Sequence, residues 1–192
     1  VRALRRRAIA DAGELAGALA AGAGHLEPGL VVLQRAVVAG DVIVDLALAD
    51  ASGRLLLAVC DVVAGVETVL RVVEGAAWWS EHAALGPRVF PHVALERGAP
   101  PRALVAATRF SDRALLLLRA LGPLAPEAVE CALFEDAEGP VVALDRLDLG
   151  TGQTETNAPL AGAAAALPTE TGRAAALVER LERLRFSEGF RA

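Results

Sequence analysis

The stretch between residues 30 and 62 constrains the fold more than any other. It holds three apolar, β-branched runs, at 30–38, 42–49 and 54–62, and the last two meet at Asp50-Ala51-Ser52-Gly53. Such residues suit a pleated, half-buried surface, so the runs read as strands and the last two as a hairpin about a turn. Val66, Val69, Leu70, Val73 and Ala77 then recur at helical spacing, which predicts a helix over 66–85 stopped by Gly86-Pro87. Residues 102–109, centred on Ala103-Leu104-Val105-Ala106, predict a fourth strand. A strand reached through a crossover helix lies parallel to its predecessor. The expected class is therefore α/β, a mixed sheet flanked by helices.

The remaining elements fit around that frame. Leu4, Ala8, Ala12, Leu15 and Leu19 predict a helix over 3–22, closed by Gly22 and Gly24. Arg5, Arg6 and Arg7 are adjacent and would fan around its start as a solvated face. Ser111 suits the N-cap of a leucine-rich helix reaching Leu121, ended by Gly122-Pro123. Residues 129–134 and 141–147 read as a second hairpin. The composition then changes to Gly, Thr, Ala and Pro, which marks a linker over 150–170. A C-terminal helix is expected within 171–192, striped by Leu177, Leu181 and Leu184, with Glu179 and Arg183 as an i,i+4 pair. One α/β domain, 1–149, thus precedes a flexible linker and a helix that docks on the core or on a partner.

Composition narrows the chemistry. No lysine occurs: all nineteen basic residues are arginine. Met and Tyr are absent too, and Asn157 is the sole asparagine. These residues have AT-rich codons, so a GC-rich bacterial genome accounts for the skew, and arginine content by itself does not signal nucleic-acid binding. A net charge of −5 argues against a globally basic binding face. Mean hydropathy is high, +0.43, yet no uninterrupted apolar stretch approaches the roughly eighteen residues of a membrane span. No signal-peptide pattern follows the basic start, so the expected location is cytoplasmic. Cys60 and Cys131 sit in apolar runs and read as core residues rather than as a disulfide or catalytic thiol. His25, His82 and His92 lack metal-ligand spacing. Trp78-Trp79 offers base stacking, or more simply one core and one half-exposed ring.

Three segments, in order, carry a resemblance. They are Glu27-Pro28-Gly29-Leu30, then Val42-Ile43-Val44-Asp45-Leu46, then Gly53-Arg54-Leu55-Leu56-Leu57-Ala58-Val59-Cys60-Asp61. Their order and spacing resemble the restriction-endonuclease-like, or P-D…(D/E)-x-K, nuclease superfamily, and the likeness extends over roughly residues 20–148. It implies a restriction-endonuclease-like mixed sheet and a Mg²⁺ site made by two acidic residues, with a lysine that positions the attacking water. Carboxylates gather the cation because nucleophile and phosphate are both anionic. By this resemblance Asp45 stands at the first acidic position, Val59 at the second and Asp61 at the lysine.

The match thus fails at the chemistry, and no lysine exists elsewhere to replace the missing one. Arg71, on the following helix, is the cation able to approach, but guanidinium stays protonated and cannot share the lysine's proton chemistry. No intact catalytic set is expected, only a remnant at Asp45. Glu27, Asp45 and Asp61 remain the candidate metal ligands, for a vestigial Mg²⁺ or for none. Glu67 reads as a partner of the helix dipole. The leading expectation is a degenerate, inactive nuclease-fold protein that binds nucleic acid or a protein partner. The alternatives are a divergent metal-dependent nuclease with a rebuilt site, and a non-catalytic scaffold that self-associates, for instance as a homodimer. No membrane association is expected.

Overall fold

A computed structural model describes residues 5–96, 98–136 and 139–149. The linker expected over 150–170 and the helix expected within 171–192 lie outside the described residues.

The chain opens on a short strand, β1 (Arg5–Arg7), followed by α1 (Ala12–Leu26). Three strands come next: β2 (Val31–Ala39), β3 (Val42–Ala49) and β4 (Leu55–Ala64). Then follow α2 (Val66–Glu81), a short α3 (Gly86–Val89), β5 (Arg102–Phe110) and α4 (Asp112–Leu121). A final hairpin joins β6 (Glu127–Asp136) to β7 (Gly139–Arg146). Among the described residues the sheet has seven strands, in the order β1-β6-β5-β4-β3-β2, with β7 also on β6. β2, β3 and β4 form an antiparallel meander, while β4, β5 and β6 run parallel through α2 and α4. This is the mixed α/β sheet flanked by helices that the sequence predicts, including the parallel strand after each crossover.

The helices cover opposite faces. Val69 and Val72 of α2 and Ala114 and Leu118 of α4 pack with Leu57, Val59 and Val105. Leu15 and Leu19 of α1 pack with Leu56, Ala58, Cys60 and Leu104 on the other side. Successive β4 residues thus alternate between the two cores, the period-2 rule of a strand buried on both faces. Each fully buried Leu or Val contributes about 1.5–3 kcal/mol. Among the described residues, no helix is long and apolar enough to cross a membrane.

Several boundaries differ from expectation for identifiable reasons. The predicted helix over 3–22 begins instead at Ala12, because Asp11 caps it by accepting the Glu14 N–H at 2.8 Å. Arg5–Arg7 forms an edge strand against Leu133–Glu135 of β6, not a fan around a helix start. Nor do Gly22 and Gly24 close α1. It runs on to Leu26, and Gly22 is buried where α1 meets β7, its missing Cβ leaving room for Leu144. Gly86-Pro87 does not simply stop α2; it opens α3, with Pro87 in the first turn. Gly53 is obligatory in the β3–β4 turn: its φ is +83°, and a Cβ there would collide with the Ala94 carbonyl oxygen.

Candidate functional site

β3 and β4 part company midway. Their pairing covers Leu46–Ala49 against Leu55–Ala58, although β3 starts at Val42 and β4 continues to Ala64. Asp45 is the first β3 residue past the last pair. The irregularity is shared by β2, where Ala36, between the paired residues Arg35 and Val37, takes a left-handed φ of 52°. Beyond the split, the Cys60 peptide has lost the strand that would satisfy it. Two side chains replace that strand. One Asp45 carboxylate oxygen accepts the Cys60 N–H at 2.7 Å, and Arg71 Nη2 donates to the same oxygen at 3.0 Å and to the Cys60 carbonyl at 3.4 Å. Backbone groups shielded from water need such partners. The Asp45 side chain is 26% exposed and that of Arg71 39%, so the pair lines a half-open notch.

Val59 and Asp61 share the α2-facing side of β4. Val59, at the second acidic position of the resemblance, is fully buried in the core. Asp61 accepts a hydrogen bond from the Thr68 hydroxyl at 3.0 Å, and that hydroxyl accepts the Gly65 N–H at 3.1 Å, which ties the strand end to the first turn of α2. Asp61 is half-buried there rather than a free strand-end aspartate.

Glu27 belongs to a different network. It follows α1 as its C-cap residue and meets Arg102 bidentately, at 2.9 and 2.8 Å, with Arg146 at 3.0 Å. Arg102 also donates to Asp50 at 3.2 Å and to Glu127 at 2.9 Å. Hydrogen bonding from Arg102, against burial and with help from Arg146, holds the Glu27 carboxyl below its ordinary value. Burial pushes Asp50 up, but hydrogen bonds from Ser52, Arg54 and Arg102 outweigh it and leave that carboxyl lowered. The Arg102 guanidinium, only 16% exposed, is held more firmly protonated by Glu27. Arg102 stands level with Leu56 of β4, and Ala107 level with Asp61. Five residues of strand, roughly 16 Å, therefore separate the anchor of Glu27 from Asp61.

Glu27 is thus not brought to Asp45 and Asp61. Among the described residues no group of three or more His, Cys, Asp or Glu side chains comes together to hold a metal. A divalent ion at the Asp45 notch would meet an arginine already seated on the carboxylate and on the neighbouring carbonyl, with a buried valine at the second acidic position. The donor set does not fit such an ion.

The other candidates resolve simply. Cys60 and Cys131 are free and buried; burial pushes the Cys60 thiol up strongly and the Cys131 thiol up to about 12. Trp79 is buried against Phe90. Trp78 is half-buried, and one of its faces is stacked on His82 at 4.3 Å. His82 caps α2, its Nδ1 lying 2.8 Å from the Trp78 carbonyl. Ser111 is the N-cap of α4. The sequence reading missed Thr68, Arg102, Glu127 and Arg146. No motif announces them, since Arg102 and Glu27 lie 75 positions apart.

A cavity of about 460 Å³ opens near the C-terminal ends of β4 and β5. Arg6, Arg7, Ala8, Ile9, Val62, Thr108 and residues 131–133 line it. Two of these nine are arginines and none is acidic. Arg7 is shared with Glu14 and Glu135.

No protein-family model matches the chain, and no curated protein matches it. Two solved structures are similar to it. One is a repair endonuclease from Pyrococcus abyssi, 18% identical with a TM-score of 0.42 over 56% of this chain and 42% of the other. The second is EndoMS in complex with double-stranded DNA, 20% identical with a TM-score of 0.46 over 65% of this chain and 47% of the other. The chain therefore spans less than half the length of either neighbour.

Proposed function

We propose that this chain is a nuclease-fold module that binds nucleic acid without cleaving it. One observation carries the reading: the Asp45 carboxylate is occupied by Arg71 and the Cys60 peptide, in a chain that has no lysine to activate water. Metal-assisted phosphodiester hydrolysis needs a divalent ion and an activated water at one phosphate. Val59 and Arg71 supply neither. Binding requires less, since phosphate contacts from arginine suffice for sequence-independent affinity. The cavity wall holds Arg6 and Arg7, the latter paired with Glu14 and Glu135, and Arg71 is half-exposed beside Asp45, which puts arginine donors within reach of a phosphate.

The direct test is a pair of assays on the full chain, with labelled single- and double-stranded DNA and RNA. Gel-shift or polarisation measures binding, and product analysis in Mg²⁺ and Mn²⁺ measures cleavage. Salt-sensitive binding with no product supports the reading. Product formation that disappears in Asp45→Ala would establish a divergent active nuclease instead.

A protein partner is the second reading, favoured by Val31, Val38 and Ile43 on the outer strands β2 and β3, all more than half exposed. An unpaired apolar edge invites association. A concentration-dependent mass in light scattering, together with absent nucleic-acid binding, would move the assignment there.

A further inference from the structure

The superfamily that the sequence resembles uses a divalent ion to bridge carboxylate and phosphate, and the residues around Asp45 do not fit one. The position holds a fixed positive charge of its own. We propose that Arg71 stands in for the ion, and that the unspent part of its guanidinium takes a phosphodiester oxygen of bound nucleic acid. This deepens the nucleic-acid-binding reading and rests on it.

The geometry argues for a held cation with donors to spare. A guanidinium carries five N–H donors in a rigid fork. Arg71 spends those of Nη2 on Asp45 and on the Cys60 carbonyl. Its Nε is buried without a hydrogen-bond partner and out of reach of a ligand, so the donors left to meet one are those of Nη1, on a side chain 39% exposed. An arginine engaged through one nitrogen is anchored but not satisfied. The anchor matters for binding, because a pre-positioned side chain gives up less freedom when a ligand arrives. The ion pair cancels the Asp45 charge, so that carboxylate does not turn a bare negative charge toward a phosphate. Arginine can meet phosphate oxygens through its fork and requires no metal to do so.

The test is polarisation with a labelled oligonucleotide across a salt series, in EDTA and in Mg²⁺. The proteins are wild type, Arg71→Gln, Arg71→Lys and the exposed α4 control Arg119→Gln. Wild-type affinity is expected not to rise when Mg²⁺ replaces EDTA, since Mg²⁺ acts only as a competing counterion. Arg71→Gln should bind roughly tenfold more weakly, and its plot of log K against log salt should flatten by about 0.9, one phosphate contact. Arg71→Lys should recover the slope and Arg119→Gln should keep it. Should Arg71→Gln fail to fold by its thermal melt, Asp45→Asn serves: it keeps an oxygen for the Cys60 N–H and strips the negative charge from beside Arg71, so it should tighten binding, and unchanged or weaker binding in it overturns the inference. Binding strengthened by Mg²⁺, or an Arg71→Gln protein indistinguishable from wild type, overturns this inference and leaves the nucleic-acid reading standing. Absence of wild-type binding in every buffer overturns both.

Discussion

Removing Asp45 exposes how the β3–β4 split is held. In Asp45→Ala the Cys60 N–H loses its 2.7 Å acceptor at a place where no strand can supply another. An orphaned, shielded donor costs about 1–3 kcal/mol. The lost ion pair with Arg71 adds less, about 0.5 kcal/mol, because the guanidinium is 39% exposed and water re-solvates it. The expected loss is therefore about 1.5–3.5 kcal/mol. Asp45→Asn keeps a carbonyl oxygen for the Cys60 N–H and gives up only the charge, so about 0.5 kcal/mol is expected. Urea unfolding of the three proteins, read at constant m, measures both values. With m of about 2 kcal/mol per molar for a domain of this size, the alanine midpoint should fall by roughly 1 M. Hydrogen exchange adds a local readout: the Cys60 amide should exchange faster in the alanine variant than in the asparagine variant. An alanine variant as stable as wild type, or an asparagine variant equally damaged, would refute the idea that the carboxylate replaces a missing strand.

Other perturbations give equally definite expectations. Glu27→Gln should destabilise the protein near pH 7. Because Glu27 is lowered from an ordinary value of 4.5 by its arginines, its stabilisation is full above that value and fades as pH falls through the folded value. Wild type and variant melting temperatures should therefore converge below about pH 4.5. Gly75→Ala should cost about 1–2 kcal/mol in chemical denaturation despite better helix propensity, since its Cβ would sit 2.8 Å from Val44 Cγ1 where α2 crosses β3. Ala36→Gly should be neutral or raise stability by about 0.5 kcal/mol, by relieving the left-handed φ opposite the split. Cys60 and Cys131, buried with raised thiols, should react with a disulfide reagent only at the rate of unfolding; fast labelling of either in the folded protein would contradict their placement.

The centre of the sheet was legible because β3, β4 and β5 are apolar runs and the helices between strands are striped, so period and order gave the β3–β4 hairpin, the parallel strand after a crossover and the last hairpin, while the pairing of β2 with β3 came from the structure. β1 was not, since three consecutive arginines carry no apolar pattern and the strand exists only because β6 offers a free edge. The start of α1 was overridden by one capping aspartate, a local hydrogen bond that outweighs helical spacing further upstream. At the candidate site, Asp45, Asp61 and Arg71 were singled out from the sequence; the structure seats Arg71 on Asp45 and ties Asp61 to Thr68. The separation of Glu27 from that group was not visible. It follows from Arg102, whose ion pairs form across 75 residues of chain and hold Glu27 at the far end of β4.

The identity of the cation at Asp45 is tested most directly by calorimetric titration of the full chain with Mn²⁺, alongside Asp45→Ala. With Arg71 seated on the carboxylate, the wild type should give only heats of dilution, the same as the variant. A saturable Mn²⁺ isotherm in the wild type that vanishes in Asp45→Ala would contradict the assignment and return Asp45 to the role of a metal ligand.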